Sequence, residues 1–209
     1  MLKTVQDIFF FCSAWVVFIP FILAVMLYKR FTAAFRVLSI HLFIVCATEL
    51  VSYYLSKQRQ SNLPLLHIYT LAEFILLYLF FEISFTGFYP VILLRSIAVA
   101  FIAFAVINSL FIQPWHRFNS YARAGEALII TLLCLLSFYK LAQESKPAVS
   151  WVSAGLLLYF SGSFILFVLS NYILAYSIDL NYHIWAVHAF LSVLMYLFIS
   201  IGLWKAQKS

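Results

Sequence analysis

Charged side chains are scarce in this sequence. Only 10% of its 209 residues are Asp, Glu, Lys or Arg, whereas 66% are hydrophobic and the mean hydropathy is +1.03. An ordinary soluble domain is about 25% charged and about 45–50% apolar. A chain of this length has too little interior to bury so much apolar surface away from water. The composition therefore excludes a soluble globular protein and predicts an integral membrane protein.

Glycine, proline and cysteine are also few, with 5, 5 and 3 copies. Long apolar runs are therefore seldom interrupted, and the run 154–169 lacks the alternation of a transmembrane β-strand. No C-x-x-C pair and no H-E-x-x-H or G-x-S-x-G motif occurs. We therefore predict an all-α fold, and we find no motif for a metal, a cofactor or a hydrolytic nucleophile.

Apolar runs long enough to cross a bilayer, which takes about 20 helical residues, recur seven times along the chain. Polar segments such as 56–62 and 113–117 separate them, and aromatic side chains stand near their ends, as at a membrane interface. The pattern predicts a polytopic transmembrane helical bundle forming a single domain over residues 1–209. The predicted spans are 8–28, 37–55, 63–85, 91–112, 120–142, 149–174 and 184–204.

The cations near the span ends predict the orientation, because cytoplasmic loops carry an excess of Lys and Arg. Eight fall on the side of the C-terminus and five on the side of the N-terminus, which places the N-terminus outside and the C-terminus in the cytoplasm. With a net charge of +6 but no dense basic patch, they suit contact with anionic lipid and do not indicate nucleic acid. The eight are Lys29, Arg30, Arg36, Arg95, Lys140, Lys146, Lys205 and Lys208; the five are Lys3, Lys57, Arg59, Arg117 and Arg123.

Polar side chains inside the spans are informative, because an ionisable group at membrane depth costs about 2.5–3.5 kcal/mol and usually faces the bundle interior. Most of them fall in the half nearer the N-terminus, with Glu73 near the midplane and His41, Glu82 and Arg95 in the other half. We predict a polar pocket open toward the N-terminal side. The alternative is that these groups hydrogen-bond one another between helices. The candidate ligand-binding residues are Glu49, Glu73, Glu126, His67, His188, Asn171 and Asn108.

Helical spacing refines this hypothesis. Tyr69 and Glu73 are four residues apart, so the tyrosine hydroxyl is expected to reach the carboxyl group. His188, Ser192 and Tyr196 form a stripe at intervals of four residues. Such a stripe is typical of a helix that faces a polar cavity or a hydrogen-bonding neighbour.

Three segments carry a resemblance: Phe160–Tyr172, Ile184–His188 with the helix that ends at Trp204, and His67–Glu73. They resemble an uncharacterised family of bacterial seven-helix membrane proteins and are similar to membrane-sensor modules of signalling proteins. The resemblance implies seven helices in a bacterial cytoplasmic membrane. It implies no substrate and no catalytic residue.

The first functional hypothesis is a non-enzymatic binding or sensory module. Its pocket would take a small amphipathic or lipid-like ligand, and a helix shift would reach a cytoplasmic protein partner. A proton-coupled transporter is the second, because buried carboxyl groups and histidines form proton relays; it requires a path from Glu73 toward His41 and Glu82. An intramembrane lipid-modifying enzyme is the third, and it requires Glu and His within about 3 Å of each other.

Overall fold

The computed structural model describes residues 2–87, 90–143, 146–176 and 178–207, and side chains within these ranges except 2–4, 171 and 173–180. The described residues form helices and short connections, with no β-strand. The helices are α1 (Leu2–Val16), α2 (Phe18–Leu27), α3 (Ala33–Lys57), α4 (Leu63–Ser84), α5 (Val91–Ile107), α6 (Ser120–Leu141), α7 (Pro147–Tyr176) and α8 (Ile178–Ala206).

Seven helical segments in the described chain are long and apolar enough to cross a membrane, which confirms the predicted transmembrane bundle. The first of these segments includes most of α1 and all of α2. Each of the helices α3 to α8 provides one of the other six. Below, "N-terminal side" means the side on which α1 begins. The connections from α3 to α4, from α5 to α6 and from α7 to α8 lie on this side, because successive spans run in opposite directions.

The predicted boundary between the last two spans is wrong. Residues 179–182 lie between the predicted spans 149–174 and 184–204, where the prediction has a short loop, yet they belong to α8, which begins at Ile178. Polar contacts account for this extension: the Tyr182 hydroxyl donates to Asp7 Oδ1 at 2.5 Å, and Gln6 Nε2 lies 2.5 Å from His183 Nδ1. Helix α8 is thus longer than predicted at its N-terminal end, where it packs beside α1.

The helical hydrogen bonding of the first span is interrupted at Val17, although the backbone of Val17 keeps α-helical angles (φ −60°, ψ −26°). Pro20 lacks the N–H group that would bond to the Val16 carbonyl, and a proline ring also crowds that carbonyl oxygen. Helix α1 therefore ends at Val16 and α2 begins at Phe18. The two parts of this span have different neighbours, as the packing of the ring shows.

Six of the spans form a closed ring, with α5 packed outside it against α4 and α6. Around the ring, α3 packs on α4, α4 on α6, α6 on α7, and α7 on α8. The first span completes the ring unevenly. Helix α2 packs on both α8 and α3, whereas α1 packs chiefly on α8 and, within the described chain, makes no comparable contact with α3. The ring is therefore tight on the side opposite the N-terminus and looser on the N-terminal side.

The outer surface of the bundle is apolar. Ile92, Phe111 and Met26 are 81%, 79% and 74% exposed, although all three belong to predicted spans. In water, a continuous surface of such residues would be costly. The exposure is explained by contact with lipid hydrocarbon.

Helices α7 and α8 pack closely because glycines lie at their contact. A Cβ atom added to Gly155 would come within 2.7 Å of Phe198 Cβ and 3.0 Å of the Met195 carbonyl oxygen. At Gly202, an added Cβ would lie 2.6 Å from Val152 Cγ2 and 3.0 Å from the Ala148 carbonyl oxygen. Small residues at these crossings let the backbones approach, as in other membrane helix pairs.

We expect Gly155→Ala to destabilise the bundle by about 1–3 kcal/mol, the usual cost of overpacking. Gly162→Ala is the matched control, because its added Cβ also meets an atom at 2.7 Å, but that atom is the Cδ1 end of the flexible Leu191 side chain. Thermal unfolding in detergent measures both. Equal melting temperatures for the two variants would contradict the close α7–α8 contact.

Candidate functional site

A cavity of about 380 Å³ lies inside the ring, in the half toward the N-terminal side. This volume is within the range of about 300–1,000 Å³ typical of ligand pockets. Its wall includes Asn62, Phe118 and Asn119 from connections on the N-terminal side, so the cavity reaches that surface. The helical residues that line it are Phe10, Ser13, Ala14, Val17, Val45, Thr48, Glu49, Ser52, Leu66, Tyr69, Arg123, Tyr159, Phe167, Trp185, His188, Ala189, Ser192 and Tyr196.

Helical periodicity explains how single faces of α1 and α3 line the cavity. The four lining residues of the first span, from Phe10 to Val17, and the four of α3 each follow the spacing i, i+3, i+4, i+7, which marks one face of a helix. On α8, the stripe His188, Ser192 and Tyr196 lines the cavity, which favours the first of the two interpretations of this stripe, a helix that faces a polar cavity. From Trp185 to Tyr196 the wall extends over about 16 Å of helix at 1.5 Å per residue.

Arg123 is the one arginine in the wall of this cavity among the described residues. It lies on the first turn of α6, is 7% exposed and lines the wall. Its Nη1 donates to Glu126 Oε2 at 2.8 Å and also to Glu73 Oε2. Its Nη2 donates to the Tyr159 hydroxyl at 3.4 Å. The guanidinium therefore links α4, α6 and α7 through one charged group.

Aromatic faces shield the same guanidinium. Its central carbon lies 4.6 Å from the centre of the Phe167 ring and 5.7 Å from that of Tyr69. Cation–π contacts of this kind are attractive and exclude water from one side of the cation. Arg123 is thus held by charge and by packing at once.

Glu73 connects the cluster to α3. The Tyr69 hydroxyl donates to Glu73 Oε1 at 2.7 Å, which confirms the hydrogen bond expected from their spacing. His41 Nε2 lies 3.6 Å from the same oxygen. His41, allocated to the other half of the membrane, thus reaches the carboxyl group near the midplane.

His188 lies among hydroxyl groups and rings. Its Nδ1 is 3.1 Å from Ser163 Oγ and its Nε2 is 3.5 Å from the Tyr159 hydroxyl. The rings of Tyr159, Trp185 and Phe167 have their centres 5.2, 5.2 and 5.4 Å from that of the imidazole. His188 therefore belongs to the aromatic wall that α7 and α8 contribute.

The predicted residues do not all meet at the cavity. Glu49 and His188 line it, while Glu73 and Glu126, 2% and 0% exposed, lie behind Arg123. The side chain of Asn171 is outside the described residues. The expected convergence of all these groups on one pocket wall is therefore only partly realised.

His67 and Asn108 occupy a different place, under the connection from α5 to α6. His67 Nε2 donates to the Arg117 carbonyl oxygen at 3.0 Å, and its Nδ1 is 2.8 Å from Ser109 Oγ. Asn108 Nδ2 donates to Gln113 Oε1 at 3.2 Å, and the same oxygen accepts the Tyr121 N–H. The prediction that these two line the pocket is wrong, because their polar groups stabilise the connection instead.

Arg123 is the main residue that sequence reasoning missed, since it was counted as a boundary cation. A signal was present: Arg123 and Glu126 are three residues apart, a spacing that pairs side chains on one helix face. Carboxyl groups predicted to lie at membrane depth also indicate a cationic partner, because an unpaired buried charge is costly. Asn119 was missed because it lies in a connection, where no helical spacing points to it.

Metal chemistry finds no support in the geometry. Among the residues whose side chains are described, no group of three or more His, Cys, Asp or Glu is placed to hold a metal ion.

Comparison with protein-family models, with curated proteins and with solved structures gives no match to this chain. The resemblance to bacterial sensor modules therefore stays a prediction.

We expect Arg123→Met to destabilise the protein strongly, by about 3–5 kcal/mol, because two buried carboxylates lose their counter-charge. Adding Glu73→Gln and Glu126→Gln to that variant should restore most of the loss. Arg95→Met is the control, because it breaks the ion pair between Arg95 and Glu82. The Arg95 side chain is 65% exposed, and exposed ion pairs contribute about 0–1 kcal/mol to stability. Similar melting temperatures for Arg123→Met and Arg95→Met would contradict the buried network.

Proposed function

We propose that this protein is a membrane binding module that takes a small amphipathic ligand into the cavity on its N-terminal side. The observation that carries the proposal is the cavity wall itself. Six spans contribute to it, and it combines aromatic side chains with Arg123, Glu49 and His188. An apolar pocket with a few convergent polar groups is the usual form of a small-molecule site.

A route from the bilayer supports an amphipathic ligand. Ala14 of α1 and Glu49 of α3 both line the cavity and are both exposed. They stand on the two helices between which the ring is loosest. A ligand with an apolar chain can enter between α1 and α3 from the lipid while its polar end reaches the cavity.

Binding accounts for the structure better than transport does. The contact between His41 and Glu73 would be the first step of the path that a proton-coupled transporter needs. Beyond it, toward the other side, α3 and α4 present fully buried apolar side chains. These are Leu38, Leu42, Phe74, Leu77, Phe80 and Phe81.

The enzymatic alternative has less support. His188 is bonded to hydroxyl groups, and the Glu73–His41 pair is separated by 3.6 Å behind the cavity wall.

A binding module needs a way to signal. The first span offers one, because α1 forms the cavity wall and α2 continues to the opposite side, where a cytoplasmic protein partner would contact the bundle.

Ligand binding should be saturable and should depend on space in the cavity. The probes are ω-bromooctylamine, ω-bromooctanol and ω-bromooctanoate, whose bromine quenches the fluorescence of Trp185 in the wall. We expect at least one probe to give saturable quenching in lipid nanodiscs, and Ala14→Phe to abolish it by filling the cavity.

Ala103→Phe is the matched control for that test, because Ala103 is also an exposed alanine but lies on α5, outside the ring. It should leave the saturable quenching unchanged. Quenching that rises linearly with all three probes, or that survives Ala14→Phe, would refute a binding site in this cavity.

The cavity is expected to face the outside of the cell. Two of the cations used for the orientation, Arg123 and Lys140, are buried, but one comes from each side, so the excess on the C-terminal side persists. We expect a green fluorescent protein fused after Ser209 to fluoresce in a bacterial host and alkaline phosphatase at that position to be inactive. The reverse pair of results would place the cavity toward the cytoplasm.

A further inference from the structure

Carboxyl groups outnumber arginine and lysine side chains around the cavity. Glu49, Glu73 and Glu126 supply three carboxyl groups, and Arg123 supplies one guanidinium. The other titratable side chains nearby are histidines 41 and 188 and tyrosines 69, 159 and 196. Arg123 is paired with Glu73 and Glu126, so Glu49 is the carboxyl group of the cavity with no arginine or lysine beside it among the described residues, and in its ionised form it attracts a cationic ligand.

Glu49 is the carboxyl group that a ligand meets. Glu73 and Glu126 are engaged by Arg123 and lie behind it. Glu49 is exposed and lines the cavity next to Thr48 and Ser52 on the same face of α3. A carboxylate in a low-dielectric region bonds strongly to a cationic N–H donor.

An acceptor without a partner points to an N–H donor as well. Asn119 lines the cavity and is 1% exposed. Its Nδ2 donates to Thr70 Oγ1 at 2.7 Å, and Thr70 must accept, because its own proton is donated to the Leu66 carbonyl oxygen at 2.8 Å. This fixes the amide orientation, and Asn119 Oδ1 has no hydrogen-bond partner in the described structure.

The remaining wall suits the apolar part of such a ligand and the flank of its ammonium group. Trp185 and Phe118 are in edge contact, with ring centres 5.8 Å apart, and Phe10 and Tyr196 also line the cavity. Aromatic faces attract ammonium groups, and tryptophan does so most strongly.

An anionic ligand is less well accommodated. Arg123 Nη1 already donates to two carboxylates, and aromatic rings lie against its guanidinium. A carboxylate or phosphate entering the cavity would meet one cation that is already neutralised and would be repelled by Glu49. The charge balance thus separates the two ligand classes.

Building on the binding function proposed above, we propose that the cavity selects a protonated amphipathic amine, which donates to Glu49 and lays its apolar chain against the aromatic wall. The ligand class follows from the exposed Glu49 carboxyl group, the unpaired Asn119 acceptor and the pairing of Arg123 with two other carboxyl groups.

The three brominated probes test this selection, because they have equal chains and differ in charge. In nanodiscs of zwitterionic lipid, the readout is the quenching that Ala14→Phe removes. We expect the amine to bind at least tenfold more tightly than the alcohol, and the carboxylate to bind most weakly. Glu49→Gln should weaken amine binding roughly ten- to hundredfold, the equivalent of a lost charged hydrogen bond, and leave the alcohol unchanged.

Glu82→Gln is the control, because Glu82 pairs with Arg95 and does not line the cavity. It should change no affinity. The comparison of probes on the unaltered protein keeps the test valid if Glu49→Gln fails to fold. Saturable binding in which the alcohol or the carboxylate equals the amine would overturn amine selection and leave the binding function standing. No saturable binding by any probe would overturn both.

Discussion

The structure depends on the burial of one arginine among carboxyl groups. An isolated charge inside a membrane is costly, and removing one member of a buried pair leaves its partner uncompensated. Arg123 therefore requires Glu73 and Glu126 beside it, and these contacts bring α4 and α6 together. Its bond to Tyr159 adds α7, and the contact of Glu73 with His41 adds α3. Four spans of the ring thus meet at one charged group.

The packing of the first span determines where the cavity lies. Helix α2 closes the ring between α8 and α3, while α1 packs chiefly on α8. The cavity lies on the N-terminal side, where the ring is loosest, and Arg123 is part of its wall. Toward the other side, close packing of aromatic and aliphatic residues fills the bundle. The asymmetry between an open half and a filled half favours binding from one side over passage through the bundle.

The spans could be predicted because they depend on apolar length alone, and their ends differ from the structure by only a few residues for α3 to α6. The start of α8 could not, because Asp179 to Tyr182 is polar and becomes helical beside α1. The Tyr69–Glu73 bond and the α8 stripe were predictable from spacing within one helix. His67 and Asn108 were misplaced, because the depth of a residue in the membrane does not determine which way its side chain points.

By itself, the sequence determined that this protein is a bundle of seven membrane-spanning helices, since lipid is the only solvent that accepts so much apolar surface. It also determined which residues carry polar groups at membrane depth. Only the tertiary structure decided that Glu49 faces a cavity, that Glu73 and Glu126 bind Arg123, and that His67 holds a connection. The reason is that helix periodicity fixes relations within a span, whereas the rotation and neighbours of each helix follow from packing between spans.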